Sequence, residues 1–99
     1  MSEPCPPLDR YAVTDHALGQ LARRAITDAD LQAALAGELQ AERVRPGRCV
    51  YQMRYTNSAG TPGLLRVFVD VDRDLPEVVT VYFTSKLTKY WRGLDARDL

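Results

Sequence analysis

Three runs of alternating residues, at 49–55, 64–71 and 78–84, constrain this chain more than anything else in it. In the first run Cys49, Tyr51, Met53 and Tyr55 share one face, and Val50, Gln52 and Arg54 share the other. In the second, Leu65, Val67, Val69 and Val71 oppose Arg66, Phe68 and Asp70. In the third, Val79, Val81 and Phe83 oppose Val78, Thr80, Tyr82 and Thr84. A period of two is the period of a β-strand, and β-branched and aromatic residues favour that state. The connectors, residues 57–63 and 72–77, are short, which favours an antiparallel meander. A shorter segment with Leu39, Ala41 and Val44 suggests one more strand, and Pro46-Gly47 is turn chemistry.

A sheet with one apolar face must be covered. The cover comes from the N-terminal third. Tyr11, Val13, Ala17, Leu18, Leu21, Ala22 and Ile26 follow helical spacing after an entry strand or turn, with Thr14 or Asp15 as the cap and His16 in the first turn. Thr27-Asp28-Ala29-Asp30 starts a second helix, with Asp30 at the capping-box position. Leu31, Ala34 and Leu35 give its apolar stripe, and Gly37 is a suitable stop. The expected fold is α+β: two N-terminal helices on a three- to four-stranded antiparallel sheet, followed by a short C-terminal turn or helix. Residues 1–10 read as a Pro-rich disordered lead-in, and residues 11–99 as a single domain.

Formal net charge is zero across 99 residues, so no global positive field points to nucleic acid. The distribution is uneven. Five arginines and no acids lie between Arg43 and Arg66, Arg54 among them, and Asp70, Asp72, Asp74 and Glu77 follow as an acidic cluster. No apolar run is long enough to span a bilayer, and the first residues lack the basic head and apolar stretch of a secretory signal. Cys5 and Cys49 read as reduced structural thiols of a cytoplasmic protein, and neither belongs to a metal-binding spacing. There is no Gly-rich phosphate loop and no nucleophile elbow, so no cofactor is expected.

The chain has only two lysines, Lys86 and Lys89, against eleven arginines. Both follow the third strand and lie beside Tyr90 and Trp91. Cations, hydroxyls and aromatics are the groups that hold phosphates and stack bases, though Tyr90 and Trp91 equally suit docking on a core. His16 is the only histidine. At a helix N-terminus the positive dipole end favours its neutral form, which a general base needs. Arg24 lies on roughly the same helical face, eight residues on. With Thr80 and Tyr82 opposite, these residues would suit metal-free phosphodiester chemistry: a base, an acid and a cation for charge on phosphorus. The plainer reading makes His16 a half-exposed first-turn residue and Arg24 a surface charge.

Residues 16–27, His-Ala-Leu-Gly-Gln-Leu-Ala-Arg-Arg-Ala-Ile-Thr, together with Val78-Val79-Thr80-Val81-Tyr82 and the Thr-Ser-Lys that follows, resemble the motifs of the bacterial domain-of-unknown-function family 4258. That family is grouped with the RelE-like toxins and the wider barnase-EndoU-colicin-RelE ribonucleases. The resemblance runs from Tyr11 to Arg92. It implies a metal-independent endoribonuclease acting on messenger or transfer RNA, checked by an antitoxin or immunity protein; the chain itself is expected to be a monomer or small homo-oligomer. On that likeness His16 is the base or acid, Arg24 binds phosphate, Thr80 and Tyr82 line the site, and Lys86 and Lys89 guide the RNA backbone; Arg54 and Trp91 are further candidate RNA-binding residues. A non-catalytic RNA- or protein-binding module on the same scaffold is the alternative. Two positions depart from the family pattern: Gln20 stands where Arg is common, and Ala25 where Gly is common.

Overall fold

A computed structural model describes residues 5–36 and 40–86. The elements run β1 (Ala12–Val13), α1 (Asp15–Arg23), α2 (Asp28–Leu35), β2 (Gln40–Arg45), β3 (Arg48–Thr56), β4 (Pro62–Asp70) and β5 (Glu77–Thr84). The strands form one sheet in the order β1-β5-β4-β3-β2. The two helices and the β3-β4-β5 meander match the sequence reading. The sheet is larger than expected and is mixed rather than purely antiparallel. It has five strands, because Ala12 and Val13 pair in parallel with Glu77 and Val78. Two residues carry too little period to separate a strand from a turn, so the expected entry strand or turn resolves here as β1.

Both helix starts follow from their caps. The Thr14 hydroxyl accepts the Ala17 N–H at 3.2 Å, which makes Thr14 rather than Asp15 the cap of α1. Thr27 and Asp30 complete a capping box, with both bonds at 3.1 Å. The end of α1 is less ordinary. Ala25 has φ +55°, and the Ile26 N–H bonds the Leu21 carbonyl at 3.0 Å. That is a Schellman ending with alanine in the left-handed position glycine usually takes. Leu21 and Ile26, both buried, are the apolar pair that accompanies such an ending. α2 ends at Leu35, with Ala36 as its cap residue, so the expected stop at Gly37 lies outside the described residues.

The inner face of the sheet is the core. Ala17 and Leu21 of α1 and Leu31, Ala34 and Leu35 of α2 are buried with Cys49, Tyr51, Leu65, Val67, Val69, Val78 and Val81. α1 packs on β5, and α2 packs on β3 and β4. One face assignment changes. Val78, expected outward, pairs with Val69 and is fully buried in the core, because the β4–β5 register shifts between Phe68 and Val69. Thr80 pairs with Phe68, so Val79 is the extra residue of a bulge, and a bulge reverses the alternation on one side of itself.

The two cysteines are not free thiols. Cys5 and Cys49 form a disulfide across 44 positions of sequence. It ties the lead-in to the core, where Cys49 is fully buried. Two more attachments follow. The Tyr51 hydroxyl donates to the Pro6 carbonyl, and the Leu8 N–H donates to the Leu35 carbonyl at 2.8 Å. The described part of the Pro-rich lead-in is therefore a strap laid on the domain. Cys5 and Cys49 lie too far apart in sequence for spacing to reveal the pair. Burial pushes the Tyr51 phenol up to about 12, with Arg43 acting weakly the other way.

Candidate functional site

The outer face of the sheet carries the polar and aromatic side chains. Register sets them in rows across β3, β4 and β5: Arg48, Asp70 and Glu77; Val50, Phe68 and Thr80; Gln52, Arg66 and Tyr82; Arg54, Leu64 and Thr84. Arg66, on the central strand, organises the middle of this face. Its Nε donates to Gln52 Oε1 at 3.1 Å, and a second guanidinium nitrogen donates to the Tyr82 hydroxyl at 2.6 Å. The same guanidinium lies 5.5 Å from the Phe68 ring centre and 5.7 Å from that of Tyr82. Those two rings stack at 6.0 Å with 16° between their planes. Each contact is of a cation–π or stacked kind, worth about 0.5–1 kcal/mol apiece where partly exposed. Together they fix an arginine that would otherwise sample many rotamers.

This face is neither bare nor uniformly polar. Val50, Gln52 and Leu64 are buried, whereas Arg66, Phe68, Thr80, Tyr82 and Thr84 are half-buried. Arg54 and Lys86 are exposed. At one end of the face Arg48 grips Asp70 with two bonds, of 2.6 and 3.1 Å, and Arg73 approaches the same carboxylate at 3.6 Å. The Arg48 guanidinium holds the Asp70 carboxyl below its ordinary value, with Arg73 and Arg45 adding to the effect. The acidic cluster is thus partly absorbed by arginines. Among the described residues, no group of three or more His, Cys, Asp or Glu side chains is placed to hold a metal ion.

The expected site residues do not all meet. Thr80 and Tyr82 stand on the outer face with Arg54, as their strand positions required. His16 and Arg24 belong to the helical side. α1 faces the sheet through Ala17 and Leu21, which are buried with inner-face residues, so the sheet lies between His16 and the Tyr82 hydroxyl. His16 is exposed. It also sits at the opposite end of α1 from Arg24, about 12 Å along the axis at 1.5 Å per residue. A cleft combining all four residues is therefore not present. Helical spacing placed His16 and Arg24 on a common face, but eight residues of separation sets them apart along it. Lys86 follows β5, and Lys89 and Trp91 lie outside the described residues.

Sequence reasoning missed Arg66, Phe68 and Gln52 as site residues, although their period-two positions beside Tyr82 were legible. It also noted Gln20 only as standing where the family commonly has Arg. In the structure Gln20 Oε1 accepts the Val81 N–H at 2.7 Å, on the side of β5 that faces β1. β1 pairs with β5 only as far as Val78, so this side chain takes over where the strand stops. An arginine cannot make that bond, since a guanidinium has no acceptor.

The fold and the outer face define a small α+β domain with an arginine–aromatic cluster on an open sheet surface. Comparison with protein-family models, curated proteins and solved structures finds no match to this chain.

Proposed function

We propose that this protein acts on RNA through the outer face of its sheet, as a RelE-like, metal-independent endoribonuclease of a toxin–antitoxin or related system. The observation that carries the reading is the Arg66 guanidinium held against the stacked Phe68 and Tyr82 rings. Aromatic side chains on a strand face are platforms for bases, and exposed cations at the rim track the phosphates. Arg54 and Lys86 are such cations. The Tyr82 oxygen accepts its bond from Arg66, so its own proton is left to donate. That proton suits a leaving 5′ oxygen, with the arginine beside it opposing charge on phosphorus. His16, behind the sheet, has no part in this arrangement.

A second reading has its own support. Among the described residues, the β3-β4-β5 rows of the outer face hold no histidine, and their Asp70 and Glu77 carboxylates are tied to Arg48 and Arg73. A face with an acid but no evident base suits a non-catalytic RNA-binding module. An antitoxin or immunity protein would cover the same face in either case.

The test is RNA binding and cleavage by purified protein in EDTA, with and without ribosomes, for wild type, Tyr82→Phe and Phe68→Ala. Cleavage lost in Tyr82→Phe while binding persists supports the enzyme. Binding without cleavage under either condition supports the module. Binding unchanged in Phe68→Ala, or no binding at all, overturns the outer face as the RNA surface.

A further inference from the structure

A second cleft opens on the helical side, where the C-terminal end of α1 meets the β3-β4 hairpin and the end of β5. It has a volume of about 190 Å³, and Arg23, Arg24, Tyr55, Asn57, Ser58 and Phe83 line it over the buried side chain of Ile26. This volume falls below the roughly 300–1,000 Å³ of ordinary small-molecule sites, so the cleft would hold part of a ligand rather than enclose it. The outer-face reading makes no use of it.

The two arginines are consecutive and exposed, and among the described residues no carboxylate lies within ion-pair distance of either. Two cationic side chains at one cleft with no described carboxylate partner favour an anion there. The nearby walls are fixed. Asn57 Oδ1 accepts the N–H groups of Ala59 and Thr61 at 3.0 and 2.9 Å, which locks the hairpin loop and leaves the amide Nδ2 as a donor. Ser58 adds a hydroxyl. Tyr55 is held by its own hydroxyl, which donates to Asp30 at 3.0 Å. Its ring meets Phe83 edge-on at 6.4 Å. Asp30 is the acid bound to that wall, and the Thr27 N–H and the Tyr55 hydroxyl share its Oδ2. The cleft therefore has a cationic lip with neutral donors and an aromatic back.

From this we infer that the cleft binds the phosphate-bearing end of a nucleotide ligand, with the phosphate on Arg23 and Arg24 and the base against Tyr55 and Phe83. Planar guanidiniums match phosphate oxygens two at a time, and aromatic rings accept any base face. A free nucleotide and the terminal phosphate of an RNA strand present the same chemistry. The inference stands apart from the outer-face reading, because the residues of the two surfaces do not overlap.

The probes are 5′-AMP, adenosine and a four-nucleotide single-stranded RNA with either a 5′-phosphate or a 5′-hydroxyl, followed by amide NMR of the whole chain. Saturable shifts of the Ser58, Phe83 and Arg24 amides are expected with 5′-AMP, and adenosine should bind at least about tenfold more weakly. Arg23→Gln with Arg24→Gln should weaken 5′-AMP by a similar factor while leaving the melting temperature and the outer-face amides unchanged. RNA binding at these amides with a 5′-phosphate preference tenfold above 5′-AMP identifies an RNA end as the ligand. Equal affinities identify a free nucleotide. Equal binding of 5′-AMP and adenosine, shifts confined to other amides, or no saturation by 5′-AMP or either RNA overturns the inference.

Discussion

The side-chain oxygen of Gln20 lies 2.7 Å from the backbone nitrogen of Val81, and this one bond closes the edge of β5 where β1 ends. An edge strand with open N–H groups invites pairing with other chains. Gln20→Ala strands a partly buried N–H, at a cost of about 1–3 kcal/mol. At roughly 4–8 °C per kcal/mol for a domain of this size, thermal melting should fall by at least several degrees. Gln20→Arg should lose as much, since it supplies no acceptor, whereas Gln20→Glu should lose clearly less at neutral pH. A Gln20→Arg protein as stable as wild type would remove the bond from the account.

Ala25 makes the opposite prediction. An L-residue in the left-handed region is strained by roughly 1–2 kcal/mol, and glycine relieves it while adding some entropy to the unfolded chain. Ala25→Gly should therefore stabilise the protein by about 0.5–1 kcal/mol, read as a higher urea midpoint with an unchanged slope. A lower midpoint would contradict the φ of +55° at this position.

The Cys5–Cys49 disulfide closes a long loop that contains both helices and β2. A closure across 44 positions restricts the unfolded chain by about 4 kcal/mol in the loop-entropy picture. Adding dithiothreitol should lower the melting temperature by well over 10 °C, and Cys5→Ala should reproduce that value and abolish the dependence on reductant. Identical melting of wild type with and without reductant would show that the bridge does not form.

Acid should weaken the protein through Asp70 first of all. Its folded-state carboxyl lies below the ordinary value of 3.8 because Arg48 binds it. A depressed carboxyl contributes stability that is complete above the unfolded value and disappears as pH falls through the folded one. Asp30 acts in the same direction. Burial pushes its carboxyl up, but the Thr27 N–H and hydroxyl, together with Tyr55, outweigh that and hold it down. Urea midpoints should be level from about pH 7 to 5 and should drop below about pH 4. Asp70→Asn should be less stable at neutral pH and should show a shallower decline in acid.

His16→Ala should leave both stability and outer-face RNA binding unaltered, because the side chain is exposed and lies across the sheet from Tyr82. The expected change is under about 0.5 kcal/mol. Loss of RNA cleavage in this variant alone would return His16 to the site and displace Tyr82.

What the sequence revealed divides along a physical line. Strands β3, β4 and β5 and the cap at Thr27 were readable because each is set by neighbours in the chain, through period two or a three-residue spacing. The misplaced Val78 shows where that fails: a bulge at Val79 is fixed by the partner strand, and nothing local signals it. The parallel pairing of β1, the disulfide and the Gln20 bond join residues 44 to 65 positions apart. Of the expected site, Thr80, Tyr82 and Arg54 share a face because strand alternation is local. His16 and Arg24 do not join them, since the side of the sheet on which a helix packs is a tertiary outcome.

The pairing of the first strand with the last sets an order of events during synthesis. Val13 has no strand to lie on until Val78 has left the ribosome, and Ala17 and Leu21 lack the Val81 surface they cover. α1 and α2 can form early from their own caps, but they must wait for most of the chain with their apolar stripes uncovered. Chaperone binding to nascent chains should therefore be strongest while β3 and β4 emerge and should fall once β5 is free. Truncation before Val78 should leave a chain that collapses without fixed packing.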